Sequence, residues 1–175
     1  MAVLDILVYP DPKLRRVAEP VAEFNSEIRD MVKDMAETMY AAPGIGLASI
    51  QVGIPQSIIV IDVSDDHNDL KVLINPEVID SNGEQIIEEG CLSFPGYFAE
   101  VKRAEWIRFR AQNSQGETYE TEAEGLFAVC VQHEIDHLSG KLFTDYLSRL
   151  KRQRVTKQFQ KAARQRQRDV ARRVG

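Results

Sequence analysis

Two histidines four residues apart, with a glutamate directly after the first, make His133-Glu134-Ile135-Asp136-His137 the stretch that most constrains this chain. On a helix, positions i and i+4 share a face, so the pattern asks for a helix here if both imidazoles are to reach one cation with Glu134 beside it. That arrangement suits metal-assisted hydrolysis: the ion makes a water acidic enough to ionise near neutral pH, and Glu134 takes its proton. The competing reading of these five residues alone is a helix with two solvated histidines paired locally to Glu134 and Asp136.

Two imidazoles need at least a third protein ligand. The pattern H-E-x-x-H-x-x-G-x-x-H is matched as far as Gly140, but the next ligand position is Phe143, and neither His nor Glu follows His137. The third ligand must therefore lie upstream, where two cysteines are available. Cys130 shares the helical face of His133 and His137, yet at 1.5 Å rise per residue it is about 10.5 Å from His137 along the axis. Metal bonds of about 2.1–2.3 Å cannot close that span. Cys130 reads as a buried thiol in a wall. Cys91 remains, in Glu88-Glu89-Gly90-Cys91-Leu92-Ser93-Phe94-Pro95-Gly96, where glycines and a proline suggest a loop or strand end able to bring a thiolate to the helix.

At 175 residues the chain is one domain, read as a body over 1–150 with a helical extension over 151–175. Hydrophobic residues make up 43% and charged ones 28%, which fits a globular protein, and no apolar run approaches bilayer length. The start meets Asp5 without a basic leader, and two cysteines with separate roles do not form a disulfide framework. A cytoplasmic monomer without membrane or specific DNA contacts is the expectation. Charge is uneven: from residue 151 onward there are ten Lys/Arg against one acid, so this segment carries +9 and the remainder −14 in a chain of net charge −5.

Periodicity predicts mixed structure. Asn25 caps a helix to about Tyr40, with Ile28, Met31, Val32, Met35 and Met39 as its apolar stripe. The β-branched runs 57–63 and 70–74 read as paired strands around a polar turn containing His67. Residues 106–111 and 118–122 read as a hairpin around Gly116, and Gly125 opens the motif helix, which runs to about Leu138. In the tail, Val155, Phe159, Ala162 or Ala163, Val170 and Val174 recur at helical spacing. The class is α+β: antiparallel sheets packed around a central motif helix, with an N-terminal helix and a basic C-terminal helix.

Three motifs in order, Gly44-Ile45-Gly46-Leu47-Ala48-Ser49-Ile50-Gln51, Glu89-Gly90-Cys91-Leu92-Ser93 and Gln132-His133-Glu134-Ile135-Asp136-His137, give the chain a clear resemblance to the peptide deformylases. It extends from the Arg15-Arg16-Val17-Ala18 region to about Leu150. One departure is Ser49, where the family usually has Ala; a modest change in packing or substrate preference is expected.

The resemblance implies a substrate, the N-formylmethionine of nascent polypeptides, and a set of roles. Cys91, His133 and His137 hold the metal, Glu134 is general base and then acid, and the Gln51 amide and Leu92 backbone N–H stabilise the oxyanion. Gly44 and Gly46 let a peptide approach and pair as an added strand. Ile45, Ile87, Leu126, Val129, Cys130 and His133 surround the methionine, and Arg103 lies near the peptide backbone. One Cys and two His suit Zn2+ by coordination preference, whereas the resemblance implies Fe2+, with Ni2+, Co2+ or Zn2+ able to substitute. It also implies ribosome docking through the basic C-terminal helix. Without the resemblance, the residues leave open a small metallopeptidase built on the same helix, or a ribosome- or RNA-binding module in which the tail is the active part.

Overall fold

Ile58–Ile61 forms β2, and all four of its side chains are fully buried. A strand buried on both faces needs a cover on each, and its continuous β-branched run has one. In the computed structural model, which describes residues 2–174, Ile58 and Val60 face α1 (Ser26–Ala41), packing with Val32, Met35 and Met39. Ile59 and Ile61 face the other way, toward Ala128 and Val131 of α2 (Gly125–Leu138). The period-2 alternation of one strand therefore sets the two helices on opposite sides of the sheet.

That sheet is antiparallel with order β1-β2-β3-β6-β7, where β1 is Gly46–Ala48, β3 Lys71–Asn82, β6 Trp106–Gln112 and β7 Thr118–Glu124. A second, two-stranded antiparallel sheet pairs β4 (Gln85–Gly90) with β5 (Phe98–Arg103). The α+β architecture, the capped first helix, both hairpins and the extent of the motif helix agree with expectation. Asn25 accepts from the Ile28 amide, which is the cap.

Strand β3 runs past the expected end at Ile74. The chain crosses Asn75-Pro76 by a register shift, with Asn75 at φ 51 and its side chain tied to the Val21 backbone and to Gln112. A local reading meets a turn-like Asn-Pro there; a bulge held by three long-range bonds lets the strand resume.

The C-terminal helix α3 (Arg149–Val174) forms, but its apolar stripe divides. Val155 and Phe159 are buried with Leu14, Phe94, Val101, Leu142 and Phe143, whereas Val170 is 60% and Val174 84% exposed. The helical spacing of the apolar positions persists along α3, but only Val155 and Phe159 are buried, Ala162 and Ala163 are half-buried, and Val170 lies at a shallow groove with Val8 and Pro10. No helix among the described residues is long and apolar enough to cross a membrane.

Candidate metal centre

Helix α2 brings His133 and His137 one turn apart, with ring centroids 5.0 Å apart, and the end of β4 carries Cys91 to them. The Cys91 Sγ lies 3.4 Å from His137 Nε2, and one ligand atom from each of the three residues falls within 4.8 Å of the others. Tetrahedral sites with bonds near 2.1–2.3 Å separate their ligand atoms by roughly 3.5 Å, so the cluster fits one cation. Cys130 stands in the wall of the adjoining cleft; burial pushes its thiol up to about 12, which suits an inert neutral group.

The orientation of His133 is set from behind. Its Nδ1 donates to Glu89 Oε1 at 2.9 Å, leaving Nε2 toward the site. Glu89 is in turn clamped by Arg103, with Nε to Oε2 at 2.8 Å and Nη2 to Oε1 at 2.9 Å, and Arg103 Nη1 reaches Asp136 at 2.7 Å. Tyr146 closes the network by donating to the same Asp136 oxygen at 2.8 Å, its ring under the Arg103 guanidinium. Burial would raise Glu89, but Arg103 and His133 outweigh it and hold the carboxyl below its ordinary range. Burial would likewise depress His133; the Cys91 and Glu89 groups overcome it and raise its affinity for a proton. A pocket that favours a proton at that point favours a metal cation for the same electrostatic reason. His137, 1% exposed, is held well below its usual value by burial and then by His133, so its imidazole is neutral and available as a ligand.

Glu134 is 3% exposed, with Oε1 at 3.7 Å from His133 Nε2 and 4.0 Å from His137 Nε2. Its Oε2 is buried without a hydrogen-bond partner. Burial pushes this carboxyl up to about 7, so at neutral pH it is poised to exchange a proton. Gly46 makes room for it: a Cβ there would sit 3.0 Å from Glu134 Oε2. At Gly44, a Cβ would come within 2.7 Å of the Leu92 side chain.

Gln51 reaches the centre from a 3-10 turn at Ser49–Val52 that follows β1. Its Oε1 accepts from the Ala48 amide at 3.0 Å, which turns Nε2 toward Ser93 Oγ at 3.1 Å and Cys91 Sγ at 3.5 Å. Ser49 is fully buried, and its hydroxyl donates to the Gln56 carbonyl, so the added polar group is satisfied inside the protein.

In front of these groups opens a cleft of about 670 Å3 lined by Gly44, Ile45, Gly46, Gln51, Ile87, Leu92, Leu126, Val129, Cys130, His133 and Glu134 among others. The expected apolar residues thus converge on one cavity beside the cluster. Arg103, expected near a bound peptide, is not among the residues lining this cleft. Strand alternation turns Ala99, Val101 and Arg103 of β5 inward, and the Arg103 side chain, 3% exposed, is spent on Glu89 and Asp136. The residues that sequence reasoning missed are Glu89, Asp136 as an Arg103 partner, Ser93 and Tyr146. One signal was available for Glu89: Ile87 and Glu89 fall on the same face of a strand, two residues apart.

A family model described as polypeptide deformylase matches residues 3–153. The chain is 57% identical over 166 residues to a peptide deformylase of Alkalilimnicola ehrlichii, covering 94% of this chain and 93% of that protein. Among solved structures it resembles a peptide deformylase from Legionella pneumophila, with TM-score 0.88, 43% identity, and 95% of this chain and 98% of that one covered. It also resembles the Ehrlichia chaffeensis enzyme in complex with actinonin, with TM-score 0.87, 37% identity, and coverage of 93% and 98%.

Proposed function

Because the chain belongs to the polypeptide deformylase family, a family of metal-dependent hydrolases that remove the N-formyl group from nascent polypeptides, we propose that Cys91, His133 and His137 hold its metal and Glu134 moves its protons. The observation that carries this reading is the convergence of one thiol and two imidazoles on a single point beside a buried carboxylate. A divalent cation held there supplies Lewis acidity, lowering the pKa of a coordinated water and polarising a carbonyl.

The protein's own groups do the rest. Glu134 takes the proton of the attacking water and returns it to the departing amine nitrogen as the formyl C–N bond breaks, so formate and a free α-amine leave. Gln51 Nε2 and the Leu92 N–H donate to the oxygen that gains charge, and Gln51 is held in that orientation beforehand by the Ala48 amide. Strand β1 is the free edge of its sheet, and its bare Gly46 suits pairing with an extended peptide. Ile45, Ile87, Leu126, Val129 and Cys130 form the apolar slot for methionine, and Gly44 keeps its approach open.

Fe2+ is proposed as the native ion, with Ni2+, Co2+ or Zn2+ as substitutes; metal content of anaerobically purified protein, compared with its activity, tests this. A cytoplasmic monomer acting at the ribosome completes the proposal. Two free cysteines and the basic exposed half of α3 support it, and α3 continues the 1–150 body as part of the same domain. Formyl-Met, acetyl-Met and unblocked Met peptides should separate the deformylase reading from a metallopeptidase. Hydrolysis of the formyl peptide alone is expected, and peptide-bond cleavage of the unblocked one would refute it. Cys91→Ala should lose metal and activity while Cys130→Ala keeps the metal; equal loss would refute the ligand set.

A further inference from the structure

The turn that carries Cys91, Leu92 and Ser93 is a short irregular segment between β4 and β5. It closes on itself through Phe94 N donating to Cys91 O at 2.8 Å and Tyr97 N to Phe94 O at 3.1 Å. What fixes its height above helix α2 is a set of aromatic rings. Phe94, 1% exposed, is stacked on Tyr9 with centroids 4.7 Å apart and meets Phe143 edge-on at 5.1 Å. Phe143 in turn lies 5.6 Å from the His133 ring. The third ring against Phe94 comes from the tail: Phe159 of α3 meets it edge-on at 5.3 Å and meets Tyr97 at 6.4 Å. Tyr9 ties the two together, since its amide donates to Ser93 O at 2.9 Å and its hydroxyl shares a hydrogen bond of 3.0 Å with Thr156 Oγ1 on α3.

We infer that Phe159 is a positioning residue for the Cys91–Ser93 turn: through its ring on Phe94, the first half of the C-terminal helix sets the height of the thiol opposite the two imidazoles and the aim of the Leu92 amide. The inference rests on the proposed role of Cys91 as a ligand. Packed rings transmit a shift because the interior is close to incompressible, and losing one ring lets Phe94 sink toward α3 and carry the turn with it. Val155, equally buried in the same cluster and one turn earlier on α3, supplies no ring to the turn. It is therefore the control for a merely stabilising role.

The test uses the full chain loaded with Co2+, whose thiolate charge-transfer absorption reports the Cys91–metal distance and angle. Phe159→Ala should shift or weaken that band and lower Co2+ affinity against a competing chelator by about tenfold or more, the scale on which groups supporting a metal ligand act. Turnover of formyl-Met peptides should fall mainly in kcat. Val155→Ala should leave spectrum and affinity within about twofold of the parent. Equal changes in the two variants, or an unchanged band and affinity in folded Phe159→Ala, would overturn the inference. Should Phe159→Ala fail to fold, Phe159→Leu carries the same comparison: it keeps apolar volume but not the edge-on contact, and a parental band and affinity there would overturn it as well. A parent protein with no thiolate band, or a band that survives Cys91→Ala, would instead refute the ligand assignment.

Discussion

Replacing Glu89 probes the support of the metal centre most directly, since this one carboxylate accepts three hydrogen bonds of 2.8–2.9 Å from Arg103 and His133. Its side chain and that of Arg103 are each 3% exposed, so neither group can turn to solvent when the other is lost. Removing one partner of a buried ion pair typically costs about 3–5 kcal/mol, because a charge is left uncompensated in a poor solvent for it. Here Asp136 still holds Arg103 Nη1 at 2.7 Å, and that carboxylate is 20% exposed, which argues for the lower end of the range. Glu89→Ala should therefore destabilise the fold by about 3 kcal/mol. It should also free the His133 ring, weakening metal binding by about 10–100-fold, which at 1.36 kcal/mol per decade is about 1.4–2.7 kcal/mol.

Glu89→Gln separates the two effects. The amide keeps the shape and one acceptor oxygen, so His133 or one Arg103 N–H remains served, but its NH2 group faces donors. Stability should fall nearly as far as in Glu89→Ala, with metal affinity between that variant and the parent. Urea unfolding gives the first quantity, and competition with a chelator gives the second. Parental stability and parental metal affinity in Glu89→Ala would refute the argument that this network orients His133.

Glu134→Gln should retain the metal while kcat falls at least about 10²-fold, the usual contribution of a positioned base; near-parental turnover would remove Glu134 from the mechanism. Asp62 is buried against α1, and although burial opposes its charge, donors on Ser64, Tyr40 and Asp69 bring its carboxyl down to about 2. A depressed carboxyl contributes stability that is complete above the unfolded value near about 3.9 and is lost as pH falls through the folded one. Asp62→Asn should thus be less stable than the parent at neutral pH, with a gap that narrows between about pH 4 and pH 2; a gap independent of pH would refute this. Truncation after Ala163 should keep Val155 and Phe159 in place, spare turnover of short formyl peptides and weaken ribosome cosedimentation at low salt, where phosphate contacts release counterions. Truncation after Leu150 should lower stability and metal affinity as well, and equal turnover in the two truncations would contradict the role given to Phe159.

The parts of the fold legible in the sequence are those whose partners lie close in the chain. The stripe of α1, the hairpin of β6 with β7 and the helix bearing His133 and His137 each announce themselves by local period. The β4–β5 sheet does not, because β4 ends Glu88-Glu89-Gly90, residues poorly suited to strands, and β5 carries Lys102 and Arg103. Its inward charges are tolerable only through partners 14, 33 and 44 residues away. The proposed ligands stand out in the sequence because metal chemistry demands particular side chains, and the fold brings those three together. The groups that orient them are generic carboxylates and a guanidinium, indistinguishable by type from the surface pairs of Arg110 with Glu77 and Glu120.

The tail shows the limit of a local period, which announces a helix and its apolar face but not how deeply that face is buried. Helical spacing of valines and alanines is a statement about a face, and a face is buried only as far as another surface extends beneath it. A 26-residue helix is about 39 Å long, more than the diameter of a small domain. The aromatic cluster ends at Phe159; beyond Ala163 the sequence turns to arginine and glutamine, with a local contact from Gln165 to Asp169 at 3.1 Å and only a shallow groove shared with Val8, Pro10, Asp11 and Pro12. One helix therefore carries two different physical loads. Its first three turns belong to the core beneath the Cys91 turn, and its last three form a cationic arm that makes no ion pair to the body among the described residues. Two contacts join the first half to the Cys91 turn, the Phe159 ring on Phe94 and the Thr156 hydroxyl on Tyr9, so a polyanionic partner acting on the second half would reach the metal centre through these.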